Sequence, residues 1–263
     1  LRLGGMPLFE SVLHAFGTAG TGGFGIKSDS IAGYSPYIQW VITVFMLLFG
    51  VNFNLYYLIL IKRFRTAVRS TEMWTYFGIV GASTAIITAN IFSMSGSFSR
   101  SLRDAAFQVA SIITTTGYST VDFDRWPSLS KTVLVILMFI GACAGSTGGG
   151  FKVSRVIILF KMIKRELVKL LHPRSVRVIR FEGKPLDEAT VSNTGSYLAV
   201  YSVCFFAILL TISVDGFDLE TNFTAVASCF NNIGPGLSKV GPMMNFSCYS
   251  PFSTAVLSAA MLL

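Results

Sequence analysis

Three short stretches of this chain carry residues suited to stripping water from a cation with backbone oxygens. They read His14-Ala-Phe-Gly-Thr-Ala-Gly-Thr-Gly-Gly23-Phe24-Gly25, Val109-Ala-Ser-Ile-Ile-Thr-Thr-Thr-Gly117-Tyr118-Ser119 and Ala227-Ser-Cys-Phe-Asn-Asn-Ile-Gly-Pro-Gly236-Leu237-Ser238. In each, a partly apolar segment runs into a small or polar turn and a glycine beside a large side chain. Each is followed by a polar stretch and a long apolar run. Consecutive carbonyls can face one axis only if some residues adopt positive φ, which glycine does without a Cβ penalty. Rings of such carbonyls can replace the hydration shell of a potassium ion. Non-helical backbone at membrane depth is tolerated only where it is buried in protein or lines a wet path. The residues therefore point to a cation pore.

The elements that must position these turns are apolar. Hydrophobic residues make up 52% of the 263 and charged residues only 13%, about half the charged share of a soluble domain. Residues 37–61, 74–94 and 196–214 contain no charge, and each meets the ~20 residues needed to cross a bilayer core. Residues 132–144 are apolar but short, and 250–263 are apolar up to the last residue. The expected class is an all-α, polytopic membrane protein. Short helices are expected near 6–16, 102–114 and 223–231, too short to span. The negative end of each helix dipole would sit near its turn, where it favours a cation.

The segments order as a repeat: span, short re-entrant helix, glycine turn, span, basic link. Residues 1–63 form a partial copy with an outbound span at 37–61. Residues 74–163 form a complete copy with spans at 74–94 and 132–162. After a basic linker at 164–195, residues 196–263 form a further partial copy. The chain opens at Leu1 inside a loop and ends within a helix at Leu263, which suggests a piece of a longer polypeptide. Within the linker, 164–171 reads as a basic interfacial helix that His172-Pro173 would stop.

Most of the 21 basic residues fall in two connections, Lys62 to Arg69 and Lys152 to Lys184, whereas the turn-bearing segments carry Asp29, Asp104, Asp122, Asp124, Asp215, Asp218 and Glu220. The positive-inside rule puts the basic connections in the cytoplasm and the turns toward the outside. That rule accounts for the net charge of +8 without nucleic acid as a partner. The loop acids either concentrate cations at the outer mouth or are simply solvated. Cys143, Cys204, Cys229 and Cys248 form no CxxC or Cys/His spacing, so neither zinc nor a disulfide framework is supported. No signal peptide is expected from the residues at hand. His14 reads as a packed histidine and His172 as a lone loop residue. No nucleophile–base pair stands out, and an enzyme is not expected.

The second outbound span is interrupted by Ala142-Cys-Ala144-Gly145-Ser146-Thr147-Gly148-Gly149-Gly150-Phe-Lys152. Consecutive glycines cost about 1 kcal/mol each in a helix interior, so the helix should break there. A phosphate loop is excluded, because Phe151 separates Gly150 from Lys152 and Val153 follows. Close helix packing by small residues is the plain alternative, and Lys152 and Arg155 read first as interface anchors.

Taken together, Gly22-Gly23-Phe24, Thr114-Thr-Thr-Gly117-Tyr118-Ser-Thr with Asp124-Arg125-Trp126-Pro127, the 142–152 string and Asn231-Asn-Ile-Gly-Pro-Gly236-Leu237 resemble the Trk/Ktr family of potassium-uptake pores, the TrkH-type membrane subunit in particular. The resemblance covers essentially the whole chain. It implies a pseudo-fourfold pore of four helix–turn–helix units in one polypeptide, of which this chain holds the last three. By resemblance the filter carbonyls belong to Thr21, Gly22 and Gly23, to Thr115, Thr116 and Gly117, and to Gly234, Pro235 and Gly236. A glycine at the key place in every loop is the family's potassium-preferring pattern; serine there favours sodium. The third loop departs from the threonine form, so which of its carbonyls face inward is left open. Ala144, Gly145, Ser146, Thr147, Gly148, Gly149 and Gly150 become an intramembrane gate loop below the filter.

The family further implies a homodimer in the bacterial plasma membrane, in contact with membrane lipid. A cytosolic TrkA-like nucleotide-binding regulatory subunit is implied too, with the basic links as docking surfaces. Potassium would be the transported ion, and no organic cofactor is expected. Two other readings stand beside this one. A sodium-coupled secondary transporter would carry broken helices in inverted repeats, whereas here the breaks recur with one polarity. A non-conducting membrane scaffold would leave three glycine turns at membrane depth unused.

Overall fold

In the computed structural model, residues 1–175 and 177–262 are described; Leu263, where the sequence reading ends its last span, lies outside them. Among the described residues the regular structure is helical apart from one two-stranded hairpin. In order come α1 (Leu8–Ala19), α2 (Pro36–Phe49), α3 (Phe53–Leu60), α4 (Phe64–Val68), α5 (Thr71–Ser95), α6 (Phe98–Ile113), α7 (Ser128–Phe139) and α8 (Val153–Leu171). Strands β1 (Arg180–Phe181) and β2 (Lys184–Pro185), then α9 (Glu188–Ile212), α10 (Leu219–Phe230) and α11 (Pro251–Ala260), complete the fold.

Helix starts follow the local chemistry. Ser35 and Ser250 cap α2 and α11, each ahead of a proline in the first turn, where a missing N–H costs nothing. Ser70 caps α5, Asp187 caps α9 and Asp218 caps α10 through its bond to the Thr221 amide. The Thr221 amide and hydroxyl, both bonded to Asp218, hold its carboxyl below the usual carboxylate range.

Two helices, α5 and the α9 segment Glu188–Asp215, are long and apolar enough to cross a bilayer. At 25 residues, α5 extends roughly 37 Å. The expected first span, 37–61, is instead two helices bent by 88° at residues 50–52. Asn52 caps α3 by accepting the Asn54 amide at 2.9 Å, and the Phe53 amide is used by the Gly145 carbonyl at 3.0 Å. A span-length apolar run thus gives up its continuity to a loop that needs its backbone. The apolar stretch expected as the second outbound span is divided into α7 and α8 by residues 140–152. Beyond these residues, the lower part of that span and the basic interfacial stretch are one helix, α8, ending at His172. The third inbound span starts at Glu188, eight residues before the apolar run, because Asp187 supplies the cap.

Of the three short helices, α6 and α10 are largely buried, whereas α1 buries Ser11, His14 and Thr18 and leaves Leu8, Phe9 and Phe16 exposed. The last ten positions of α6 are nearly all buried. The main core joins Tyr76, Ile87, Ile112, Leu134, Phe205 and Val226 from α5, α6, α7, α9 and α10. A smaller cluster of Met6, Ile38, Ile42, Met46, Phe107 and Tyr118 ties α2 to α6.

The membrane orientation carries its own prediction. In a full-length protein with the exposed Cys248 replaced by serine, Ser175→Cys should react only from the cytoplasm and Lys239→Cys only from outside. Labelling of both by an impermeant thiol reagent added to intact cells would overturn the orientation.

Candidate functional site

Helices α1, α6 and α10 end in one and the same turn. The Gly22, Thr116 and Ile233 amides bond the carbonyl five residues back, at Gly17 (2.8 Å), Ser111 (2.9 Å) and Ser228 (2.8 Å). The Thr21, Thr115 and Asn232 amides bond the carbonyl three back, at Thr18, Ile112 and Cys229. These two bonds define a Schellman cap, which demands a left-handed residue at its centre. That residue is Thr21 (φ 50°), Thr115 (φ 56°) and Asn232 (φ 55°), and two positions on comes a left-handed glycine: Gly23 (66°), Gly117 (81°) and Gly234 (112°). Left-handed backbone costs a side-chain-bearing L-residue roughly 1–2 kcal/mol, so three such threonine or asparagine centres mark a geometry the surroundings impose.

This geometry shifts the register of the third turn. Its equivalent of Thr115, Thr116 and Gly117 is Asn232, Ile233 and Gly234, two residues ahead of Gly234, Pro235 and Gly236. Gly234 is exposed while Gly236 is buried. A Cβ on Gly236 would meet Thr224 of α10 and Val240, so Gly236 faces its own helix. Leu237 matches Tyr118 in type but stands two residues beyond the corresponding place in the turn. The bulky residues do not share one role: Tyr118 is fully buried and stacked on His14, Leu237 is buried, and Phe24 is exposed.

The turns meet one another. A Cβ on Gly23 would overlap the Thr116 carbonyl, and one on Gly117 would overlap the Ile233 carbonyl. Each contact joins a glycine to the residue just before the next turn's glycine, a second reason for the revised register. Tyr118 reinforces the first contact by donating its hydroxyl to the Phe24 carbonyl at 3.3 Å. Gly23, Gly117 and Gly234 line a single cavity of about 220 Å³ together with Ser119 and Pro235. Of the sequence-derived residues, Thr21, Gly22, Gly23, Thr115, Thr116, Gly117 and Gly234 are thereby brought together, Pro235 borders the same cavity, and Gly236 stands apart.

Residues 140–152 pass beneath all three turns. The Thr21 hydroxyl donates to the Thr147 carbonyl at 3.0 Å, and the Gly149 amide donates to the Thr115 hydroxyl at 2.6 Å. Gly148 lies under the Thr114 carbonyl, and Gly149 and Gly150 lie against Asn231. A Cβ at Gly149 would come within 2.8 Å of the Asn231 carbonyl, so no larger residue fits without displacing the turn. The Lys152 ammonium folds back onto the Gly148 carbonyl, while Arg155 stacks over the Tyr197 ring at 4.0 Å. Lys152 is thus part of the loop's own structure, not only an interface anchor. Ala144 and Gly145 are fastened from outside by Glu72 and α3.

Several contributors were not read from the sequence. Asn231, held by the Tyr201 hydroxyl at 2.9 Å, and Ile233 belong to the third turn. Gly50, Asn52 and Glu72 hold the loop. A usable signal existed: the small residues Gly17, Ser111 and Ser228 each stand six before the left-handed glycine. Among the acids, Asp124 accepts the Ser238 amide at 3.0 Å and pairs with Lys131 at 3.7 Å, and Asp122 pairs with Arg125 at 3.0 Å. His14 Nδ1 is bonded to the Glu10 carbonyl at 2.8 Å.

Membrane-length helices packed with short helices that stop at a shared, glycine-lined cavity define a multi-pass membrane protein. The chain belongs to the TrkH family of cation transport proteins, matching it over residues 2–81 and 93–263. It is 35% identical, over its whole length, to the Trk system potassium uptake protein TrkH of Salmonella typhimurium, covering 55% of that protein. To TrkG of Escherichia coli K12, another Trk system potassium uptake protein, it is 30% identical and covers 54%. The crystal structure of the potassium transporter TrkH from Vibrio parahaemolyticus superposes with a TM-score of 0.90 at 31% identity, over 99% of this chain and 57% of that one. The chain thus spans about half the length of the curated relatives it matches.

Proposed function

We propose that this chain forms three of the four units of a potassium-selective pore and serves potassium uptake as part of the membrane subunit of a Trk-type system. The observation that carries the reading is the turn built three times with one hydrogen-bond pattern. Its glycines border one cavity, and the first two press on the carbonyl of the next turn. In this arrangement the carbonyls of Thr21, Gly22 and Gly23, of Thr115, Thr116 and Gly117, and of Asn232, Ile233 and Gly234 are the filter oxygens. The third set replaces Gly234, Pro235 and Gly236 on the strength of its dihedrals. Residues 144–150 are the gate below, since hydrogen bonds from two turns and close packing against the third hold them across the way out.

The four copies implied by the family would close the ring, residues 1–63, 74–163 and 196–263 supplying three of them and 164–195 joining two. A homodimer in a bacterial plasma membrane fits the same reading. So does a cytosolic TrkA-like partner docking on the basic surface of α8 and the hairpin. Potassium is cargo, held by backbone oxygen and needing no organic cofactor.

The test is ion flux through the full-length parent in liposomes, comparing potassium, rubidium, sodium and lithium. Potassium and rubidium are expected to pass well ahead of sodium and lithium. Equal passage of all four would overturn the selective pore, and strict sodium dependence of potassium movement would favour a coupled transporter.

A further inference from the structure

The hairpin between α8 and α9 is tied to the 140–152 loop through the first turn of α5. Glu182 stands at the hairpin tip in left-handed backbone, followed by a left-handed Gly183. Its Oε1 accepts the Ser70 hydroxyl at 3.0 Å and the Glu72 amide at 3.0 Å. It thereby caps α5, since the first amides of a helix have no partner within it. The Glu72 side chain, only 4% exposed, continues the chain of bonds. Its Oε1 accepts the Ala144 amide at 2.7 Å and the Ser154 amide at 3.1 Å. One oxygen thus fastens the loop's descending limb and the first turn of α8, bracketing residues 144–150. The hairpin is also gripped from α8, where the Lys161 ammonium donates to the Arg180 carbonyl at 2.6 Å.

We infer that Glu182 and Glu72 form a latch that holds the gate loop under the turns, with Glu182 as a positioning residue whose loss lets the loop move. This rests on reading residues 144–150 as the gate. The physical argument is one of connection. Hydrogen bonds to a carboxylate are about twice as strong as neutral ones, and here two carboxylates in series bridge an exposed hairpin to a partly buried loop. Glu182 is exposed, so its removal does not open a cavity in the core. Glu72, by contrast, is itself buried and satisfies two amides, so its loss would put folding at risk.

The experiment uses the full-length protein carrying Ser146→Cys, with Cys248→Ser as background, in sealed vesicles. Two quantities are read: the rate of thiol modification at position 146 from the cytoplasmic face, and resting potassium flux per folded protein. Glu182→Ala should raise both, the flux by about tenfold for the loss of a charged hydrogen bond. Glu182→Gln keeps an acceptor for Ser70 and should bring both back toward the parent. The potassium-to-sodium ratio should not move. Unchanged thiol reactivity in Glu182→Ala overturns the latch, and so does a change that Glu182→Gln reproduces in full. Failure of the gate reading gives a different result: flux that stays at the parent level when residues 145–150 are deleted. In that event the thiol rate alone still decides whether Glu182 positions the loop.

Discussion

Gly117→Ser in the full-length protein is expected to cut discrimination between potassium and sodium by about tenfold. Gly117 sits at φ +81°, where a residue bearing Cβ pays roughly 1–2 kcal/mol. Here the cost is not only local, because the new Cβ would overlap the Ile233 carbonyl. The third turn must retreat, or the Gly117 peptide must rotate and carry its carbonyl off the axis. Either way one position in the ring loses an oxygen or exchanges it for a hydroxyl. Each 1.4 kcal/mol lost from one ion relative to the other changes their ratio tenfold. Gly234→Ser should act in the same direction. Gly236→Ser should instead disturb packing against Thr224 and leave the ratio near its starting value, because Gly236 faces away from the cavity. Relative flux of the two ions, with normal expression, is the measurement. An unchanged ratio in Gly117→Ser removes that residue from the filter, and a large loss in Gly236→Ser alone would restore the later register.

The class of fold was legible because bilayer length and charge are properties of composition, and composition survives without coordinates. The three turns were legible because glycine next to threonine or asparagine, after a helix too short to span, has few other uses at membrane depth. The register of the third turn was not, since it is fixed by which carbonyl accepts the Ile233 amide. Ser228 does so, and its six-residue distance to Gly234 repeats Ser111 to Gly117. Side-chain pattern pointed elsewhere, at Gly236-Leu237. The bend at Gly50-Val51-Asn52 was hidden for a related reason. Hydropathy reports how apolar a run is, but not that Gly50 and Phe53 lend a carbonyl and an amide to Cys143 and Gly145. Glu72 looked like one more charge in a basic connection. Its role appears only once α5 places its first turn beside the loop.

Deleting residues 145–150 from the full-length protein is expected to raise resting potassium flux severalfold while leaving the potassium-to-sodium ratio nearly constant. The reason lies in where the loop is attached. Its neck is already closed by backbone bonds, from the Gly141 amide to the Phe151 carbonyl at 2.9 Å and from the Val153 amide to the Ala142 carbonyl at 3.1 Å. The excision can therefore rejoin the chain across the neck without turning α8 about its axis. What disappears is the set of contacts below the turns: Thr147 to Thr21, Gly149 to Thr115, and Gly149 and Gly150 to Asn231. The turns themselves keep the Schellman bonds to Gly17, Ser111 and Ser228, which belong to their own helices, so selectivity should persist. One amide, that of Phe53, loses its Gly145 partner, so yield is expected to fall somewhat. If the segment were only a helix-packing surface, its loss would spoil packing around α8 and lower yield without opening anything. The two readings diverge in flux per folded protein, measured in liposomes after size-exclusion selection of the intact species. A well-folded deletion with flux equal to or below that of the parent would remove the gate from this loop.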